Sequence, residues 1–127
     1  MEAVTRFALI ALVGATILAG VPAKAHHGYS AFERENTVSI EGNLEEIQFM
    51  NPHSILMVKT NDSQMYTVEW LSVPQLRRYG IGYDTLKKGD HLVLSGAPSR
   101  DPAVHKMSIV RKLTRTSDGW SWPPPPR

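Results

Sequence analysis

The sequence predicts a mainly β protein, a small five-stranded barrel with one short helix between strands three and four, behind a segment that export removes. Three observations support this prediction. Residues 7–21 form an almost uninterrupted apolar run, and Ala23-Lys24-Ala25 follows it as a small-x-small motif. Downstream, short stretches alternate polar and apolar residues, which is typical of half-buried strands. Glycine, proline, asparagine and aspartate separate these stretches, as expected for turns.

The first 25 residues resemble the three parts of a secretory signal peptide. A short, weakly basic start precedes an apolar run of fifteen residues, whereas a membrane-spanning helix needs about 20. We therefore expect cleavage after Ala25 and a periplasmic or secreted protein that has no membrane span after processing. An uncleaved N-terminal anchor is the alternative. The chain contains no cysteine, which excludes a lipid-modified cysteine anchor and any disulfide.

Processing would leave 102 residues, which suffice for one small domain. Because Glu2, Arg6 and Lys24 are removed, 12 basic and 11 acidic residues remain, and the net charge becomes +1. A nucleic-acid binder usually carries a clear basic excess, so we expect no nucleic-acid partner. We divide the chain into a signal peptide (1–25), an N-terminal arm (26–36), an OB-like barrel domain (37–116) and a flexible Trp/Pro-rich tail (117–127).

Strands and turns can be assigned along the barrel region. The alternation that begins at residue 37 shifts phase near Glu45 and Glu46, which predicts a β-bulge in a long, bent first strand. Pro52 marks a corner, because proline cannot donate to a strand ladder. Ser72 is a plausible N-cap for a short helix that Gly80 ends. The other strands are predicted at residues 55–60, 65–70, 91–96 and 107–113.

The predicted order is three strands, one short helix and two strands. A long first strand that contributes to both edges of a small closed sheet fits the five-stranded OB-type barrel. An open antiparallel sheet with one helix is the alternative. The tail holds Trp120 and Trp122 before four prolines, and this composition predicts an extended, mobile segment.

Four short motifs follow one another in a fixed order. They are His26-His27-Gly28-Tyr29-Ser30-Ala31-Phe32, Val38-Ser39-Ile40-Glu41-Gly42, Asn51-Pro52-His53, and Leu86-Lys87-Lys88-Gly89-Asp90 with Gly96. Together they resemble the DUF6152 family of small exported proteobacterial proteins of unknown function. The resemblance spans nearly all of the mature chain and implies an exported β-rich domain without an established activity. Gly28-Tyr29 departs from the family pattern, in which serine followed by phenylalanine is common.

Cleavage after Ala25 would make His26 the first residue, so that its amine and imidazole can chelate one metal ion. A third nitrogen from another histidine completes a site of the histidine-brace type. His27 can supply that nitrogen only if the backbone bends sharply, which Gly28 makes easier. His53, at the predicted corner, is the better geometric candidate. Amine and imidazole ligands suit Cu(II) best, so we predict a copper ion held by these histidines.

The same residues also fit simpler roles that involve no metal. Paired histidines behind a signal peptide also occur as a solvated arm, and His53 can instead cap a turn through backbone hydrogen bonds. Met50 is either a thioether ligand for Cu(I) or core filler. His91 and His105 are expected at the surface.

The functional prediction is an exported, non-catalytic binding module that holds copper. The chain lacks a nucleophile motif and a phosphate-binding glycine loop, so we expect no enzyme. The main alternative is a periplasmic accessory protein that binds another exported protein through a sheet edge or the Trp/Pro tail. An OB-type oligonucleotide or oligosaccharide binder and a small mono-copper oxidase are less favoured.

Overall fold

The computed structural model describes residues 28–126, in which a single 3₁₀ turn (Tyr29–Ala31) precedes six strands and one α-helix. In chain order the elements are β1 (Val38–Gln48), β2 (Ile55–Thr60), β3 (Met65–Glu69), α1 (Val73–Arg78), β4 (His91–Pro98), β5 (Lys106–Arg115) and β6 (Ser121–Trp122). The predicted signal peptide, together with His26 and His27, lies outside the described residues. No helix among those residues is both long and apolar enough to cross a bilayer.

The strands close into a barrel. Strands β3, β2, β1, β4 and β5 are antiparallel neighbours in that order, and a parallel pairing between β3 and β5 completes the ring. The helix α1 lies between β3 and β4 in the chain. This is the connectivity of the OB-type barrel, so the predicted mainly β, five-stranded fold with one short helix is confirmed. The sixth strand, β6, adds to β5.

The first strand is long enough to pair on both sides. Its first half pairs with β4 and its second half with β2, and the register shifts between Leu44 and Glu46. The predicted bulge is therefore confirmed. Gly42 lies at a close approach of β1 and β2, because a Cβ at this position would collide with the Lys59 carbonyl group. A larger residue here would push the two strands apart.

The helix α1 begins and ends as the sequence predicts. The hydroxyl of Ser72 accepts a hydrogen bond from the Gln75 backbone N–H, and the Gln75 side chain accepts one from the Ser72 N–H, which is a complete capping box. Gly80 follows the helix at a φ of 71°, a conformation that glycine adopts without strain. Leu76 is buried and attaches the helix to the barrel.

The core consists of aliphatic and aromatic side chains that alternate inward along the strands. The large apolar side chains of the strands that are fully buried are Leu44, Leu56, Val58, Val68, Leu92, Leu94, Met107 and Leu113. Burial of each such side chain contributes about 1.5–3 kcal/mol. With no disulfide available, this burial must account for most of the stability.

The tail differs from the expected mobile segment. Ser121 and Trp122 pair with β5 as strand β6, and only 8% of Trp122 is exposed. The Trp122 ring meets the rings of Trp70 and Tyr79 edge to face, each at a centroid distance of 5.6 Å. Burying a large ring against two other aromatic rings outweighs the entropy of a free tail. Within the described part of the tail, the segment that extends from the barrel is residues 123–126, and all four of these residues are exposed.

Candidate functional site

The corner between β1 and β2 holds His53 in a fixed position. Next to it, the buried Ser54 donates its backbone N–H to the Leu71 carbonyl group at 3.0 Å, and the Ser54 carbonyl accepts from Trp70 at 2.8 Å. The Asn51 side chain accepts a hydrogen bond from the Val73 N–H at 3.0 Å. The corner is therefore attached to the start of α1 and to the segment after β3. His53 is itself half-buried.

The described part of the N-terminal arm, residues 28–36, is attached to the barrel near the loop between β4 and β5. Phe32 is only 3% exposed and acts as the anchor. Arg100 donates from Nε to the Ser30 carbonyl at 2.8 Å, and Arg111 donates from Nη2 to the Arg34 carbonyl at 2.7 Å. These contacts hold residues 30–34 against the barrel.

The beginning of the arm meets the corner. The Tyr29 ring lies 6.0 Å from the His53 ring, centroid to centroid, with an interplanar angle of 52°. On the same tyrosine ring, the Arg34 guanidinium carbon is 5.6 Å from the centroid. Tyr29 is 45% exposed, so it covers part of His53 without sealing it from solvent.

A small cleft of about 160 Å³ opens at this junction. It forms because the parallel pairing of β3 with β5 extends over only two residue pairs and ends at Val68–Met107. Beyond that point β5 forms a bulge, because it has two more residues than the segment of β4 with which it pairs. Within this bulge Ile109 takes a φ of 49°. Such a φ is a genuine outlier for a β-branched residue. Bulges of this kind redirect side chains and often occur next to functional sites.

The lining of the cleft combines polar and apolar side chains. Tyr29, His53 and Glu69 contribute polar groups, while Leu71 and Ile109 contribute apolar wall. Among the described residues no group of three or more histidine, cysteine, aspartate or glutamate side chains is arranged to hold a metal ion. The cleft thus offers two metal-ligating side chains, His53 and Glu69, and a metal ion there would need further ligands.

The other histidines engage in contacts away from the cleft. His91 uses Nδ1 towards Asn43 Oδ1 at 2.8 Å and Nε2 towards Glu41 Oε1 at 2.9 Å. His105 stacks on Tyr66 at a centroid distance of 5.2 Å. Both are partly exposed, as expected for surface histidines.

Met50 lies at the surface of the same corner. It is 45% exposed, so it does not serve as core filler.

Glu69 did not emerge from the sequence as a candidate. The sequence did show that Glu69 alternates with Val68 and Trp70 and therefore faces away from the core. Its proximity to His53, however, depends on the register in which β3 pairs with β2, which the sequence does not show.

A comparison with protein families identifies the family of the chain. The model of a family of unknown function, DUF6152, matches residues 15–108. No curated protein and no solved structure matches the chain. The matched range runs from the apolar N-terminal segment through the corner to the start of β5, well over half of the sequence, and the chain therefore belongs to the DUF6152 family.

Proposed function

We propose that the processed protein is a non-catalytic exported module that binds one transition-metal ion, with copper preferred. The ligands are the amine and imidazole of His26, exposed by cleavage after Ala25, and the imidazole of His53. One observation carries this proposal, namely the contact between Tyr29 and His53 at 6.0 Å. It supports an approach of the mature N-terminus to the corner.

Chain connectivity makes the approach short. Three peptide units separate His26 from Tyr29, so their Cα atoms are at most about 11 Å apart. The arm is anchored from Ser30 onwards, and Tyr29 lies beside His53, so only a short stretch of chain separates His26 from a residue at the corner. The loss of chain entropy on metal binding is correspondingly limited to a few residues.

The chemistry of these ligands favours divalent copper. One amine and two imidazoles are nitrogen ligands of intermediate softness, and affinity for such ligands peaks at Cu(II), with Ni(II) and Zn(II) behind. His27 is the alternative source of the second imidazole, since Gly28 permits a sharp backbone bend. We assign no reaction to the metal.

The test starts from protein exported by cells. Its intact mass under denaturing conditions gives the cleavage site, and its mass under native conditions shows any retained metal. Cu(II) is then titrated against a competing chelator. We expect a 1:1 complex in the parent, near-complete loss in His26→Ala, and clear weakening in His53→Ala. His105→Ala is the matched control, because its ring stacks on Tyr66. If His26→Ala binds Cu(II) as tightly as the parent, the proposal is wrong.

A second candidate is an accessory module that binds another exported protein. The four prolines at 123–126 are all exposed behind the buried Trp122, and a proline-rich segment is already extended and loses little entropy on binding. Because Trp122 belongs to the core, the informative deletion is residues 123–127 rather than the whole tail. Loss of partner capture in a pull-down, with unchanged thermal stability, would support this candidate.

A further inference from the structure

The turn that joins β5 to β6 contains Asp118 and Gly119, the one aspartate–glycine pair in the chain. An aspartate before glycine is chemically reactive, because glycine has no side chain to shield its backbone nitrogen from the aspartate carboxyl group. This glycine is not readily replaced, since Gly119 takes a φ of 73°, which favours glycine over other residues. The fold therefore keeps a reactive pair at an exposed turn.

Arg115 holds both oxygens of the Asp118 carboxylate. Its Nε donates to Oδ1 at 3.0 Å and its Nη2 donates to Oδ2 at 2.9 Å, which is a bidentate pair. The same Oδ1 accepts a hydrogen bond from the Trp120 N–H at 3.1 Å. The Gly119 N–H in turn donates to the Arg115 carbonyl at 3.0 Å. Both groups that would react, the carboxylate and the glycine nitrogen, are thus engaged in other contacts.

The Arg115 guanidinium is itself fixed by further contacts. Its Nη1 donates to the Thr85 carbonyl at 2.6 Å and to Asp90 Oδ2 at 3.1 Å, and only 17% of its side chain is exposed. Hydrogen bonds from Arg115 lower the pKa of the Asp118 carboxyl. Each unit by which a carboxyl pKa falls makes the protonated form about ten times rarer at neutral pH. The protonated form is the one that cyclises, because its oxygen can leave as water.

We infer that Asp118 is a site of slow isomerisation to isoaspartate, and that Arg115 protects it. In the first step a bond forms between the Gly119 nitrogen and Asp118 Cγ, the Cγ–O bond breaks, and one water leaves with the carboxyl and amide protons. The cyclic imide then takes up one water. Hydrolysis at the former main-chain carbonyl gives a backbone that runs through Cγ and is one methylene longer. The inference is independent of metal binding.

The longer backbone would disrupt the attachment of β6. The Arg115 N–H donates to the Trp120 carbonyl at 2.8 Å, and Ser121 and Trp122 then pair with β5. An extra methylene between Arg115 and Trp120 separates these partners, so isomerisation should release Trp122 from its two aromatic neighbours. Modified molecules would therefore lose the C-terminal segment from the barrel.

The test compares Arg115→Gln with Asp90→Asn in the exported protein. Both variants lose the Arg115–Asp90 ion pair, but only Arg115→Gln also loses the contact with Asp118. Each variant is incubated for weeks near neutral pH beside the parent, which is kept both folded and unfolded in urea. Peptide mapping with electron-transfer fragmentation distinguishes isoaspartate from aspartate, which have equal mass. The exposed Asp62–Ser63 pair in the turn between β2 and β3 reports any general loosening of the fold.

We expect slow conversion of Asp118 in the folded parent, a severalfold higher rate in Arg115→Gln, and the parental rate in Asp90→Asn. The parent in urea should react fastest. Modified molecules should show a red shift of tryptophan emission and unfold at lower urea concentration. If Arg115→Gln reacts at the parental rate, or if Asp90→Asn is accelerated equally, Arg115 is not the protecting group and the inference is wrong. A rate in urea no higher than that of the folded parent would refute it as well.

Discussion

The first and last segments of the described part of the chain are attached to the barrel in different ways. The C-terminal segment, residues 117–126, contributes strand β6 and buries Trp122 between Trp70 and Tyr79. The N-terminal arm is attached mainly by Phe32 and by hydrogen bonds from arginine side chains to its carbonyl groups. Near the start of the described part of the arm, Tyr29 stays 45% exposed at the cleft. One end completes the core, and the other leaves a site open to solvent.

The difference indicates where stability and function reside in this small domain. Burial against aromatic rings stabilises the fold but leaves nothing free to bind. A half-exposed tyrosine beside a half-buried histidine stabilises little, yet it leaves the imidazole accessible, as the proposed metal site requires. Substitutions at the C-terminal segment should therefore affect unfolding, whereas those at the arm should affect metal binding more.

The largest effect is expected for Trp122→Ala. Removing the ring leaves a cavity against Trp70 and Tyr79 and should lower the free energy of unfolding by about 3–5 kcal/mol. Urea denaturation measures this. The control is Trp122→Phe, which keeps an aromatic ring and removes an indole N–H that has no hydrogen-bond partner among the described residues. A change below about 0.5 kcal/mol in Trp122→Ala would show that the C-terminal segment is not part of the core.

Phe32→Ala should have an intermediate effect on unfolding. Phe32 is 3% exposed but lies outside the main core cluster, so we expect a loss of about 2 kcal/mol. Because this residue anchors the arm, Cu(II) affinity should fall as well. Phe32→Leu, which keeps an apolar side chain, should retain most of both properties. Parental Cu(II) affinity in a destabilised Phe32→Ala variant would show that the arm does not position the metal ligands.

Asp118 should make a pH-dependent contribution at the C-terminal segment. Hydrogen bonds from Arg115 lower the pKa of the Asp118 carboxyl below its ordinary value of 3.8. The contribution is therefore complete above this value and disappears as the pH falls through the lowered pKa. The melting temperature of Asp118→Asn should lie slightly below that of the parent at about pH 7, and the two should converge once the pH falls below the lowered pKa of Asp118. A difference in melting temperature that stays constant as the solution is acidified would show that the Arg115–Asp118 ion pair does not contribute to stability.

Tyr29→Ala should have the smallest effect on stability. At 45% exposure, its loss should change the free energy of unfolding by less than about 0.5 kcal/mol. Cu(II) affinity should nevertheless decrease, because the ring that brings the arm to His53 is gone. Tyr29→Phe is the control, since it keeps the ring contact. If Tyr29→Ala binds Cu(II) with the same affinity as the parent, the Tyr29–His53 contact does not contribute to metal binding.

Much of the fold could be predicted from local patterns. The phase shift near Glu45 identified the bulge, and Ser72 with Gly80 identified the bounds of the helix to within one residue. The segments missed are those whose structure depends on distant partners. A two-residue strand such as β6 has no periodicity, and tryptophan before proline is also typical of a free tail. The positive φ of Ile109 has no local signal, because β-branched residues avoid it.

The candidate site was only partly accessible from the sequence. His53 stood out because it follows a proline corner and because histidine is a frequent metal ligand. Its proximity to Tyr29 and Glu69 depends on how the arm crosses the barrel and on the register of β2 with β3, which are tertiary properties. Whether His26 becomes the first residue depends on proteolysis and stays a prediction.

The most direct test uses the exported protein grown with histidine labelled by nitrogen-15 in the ring only and loaded with one equivalent of Cu(II). Pulsed electron paramagnetic resonance then identifies the coordinated nitrogens. Coordination by His26 and His53 predicts two labelled imidazole nitrogens and one unlabelled amine nitrogen, with one imidazole coupling lost in His53→Ala. Two imidazole couplings that persist in His53→Ala, or a spectrum without the amine, would contradict this ligand set.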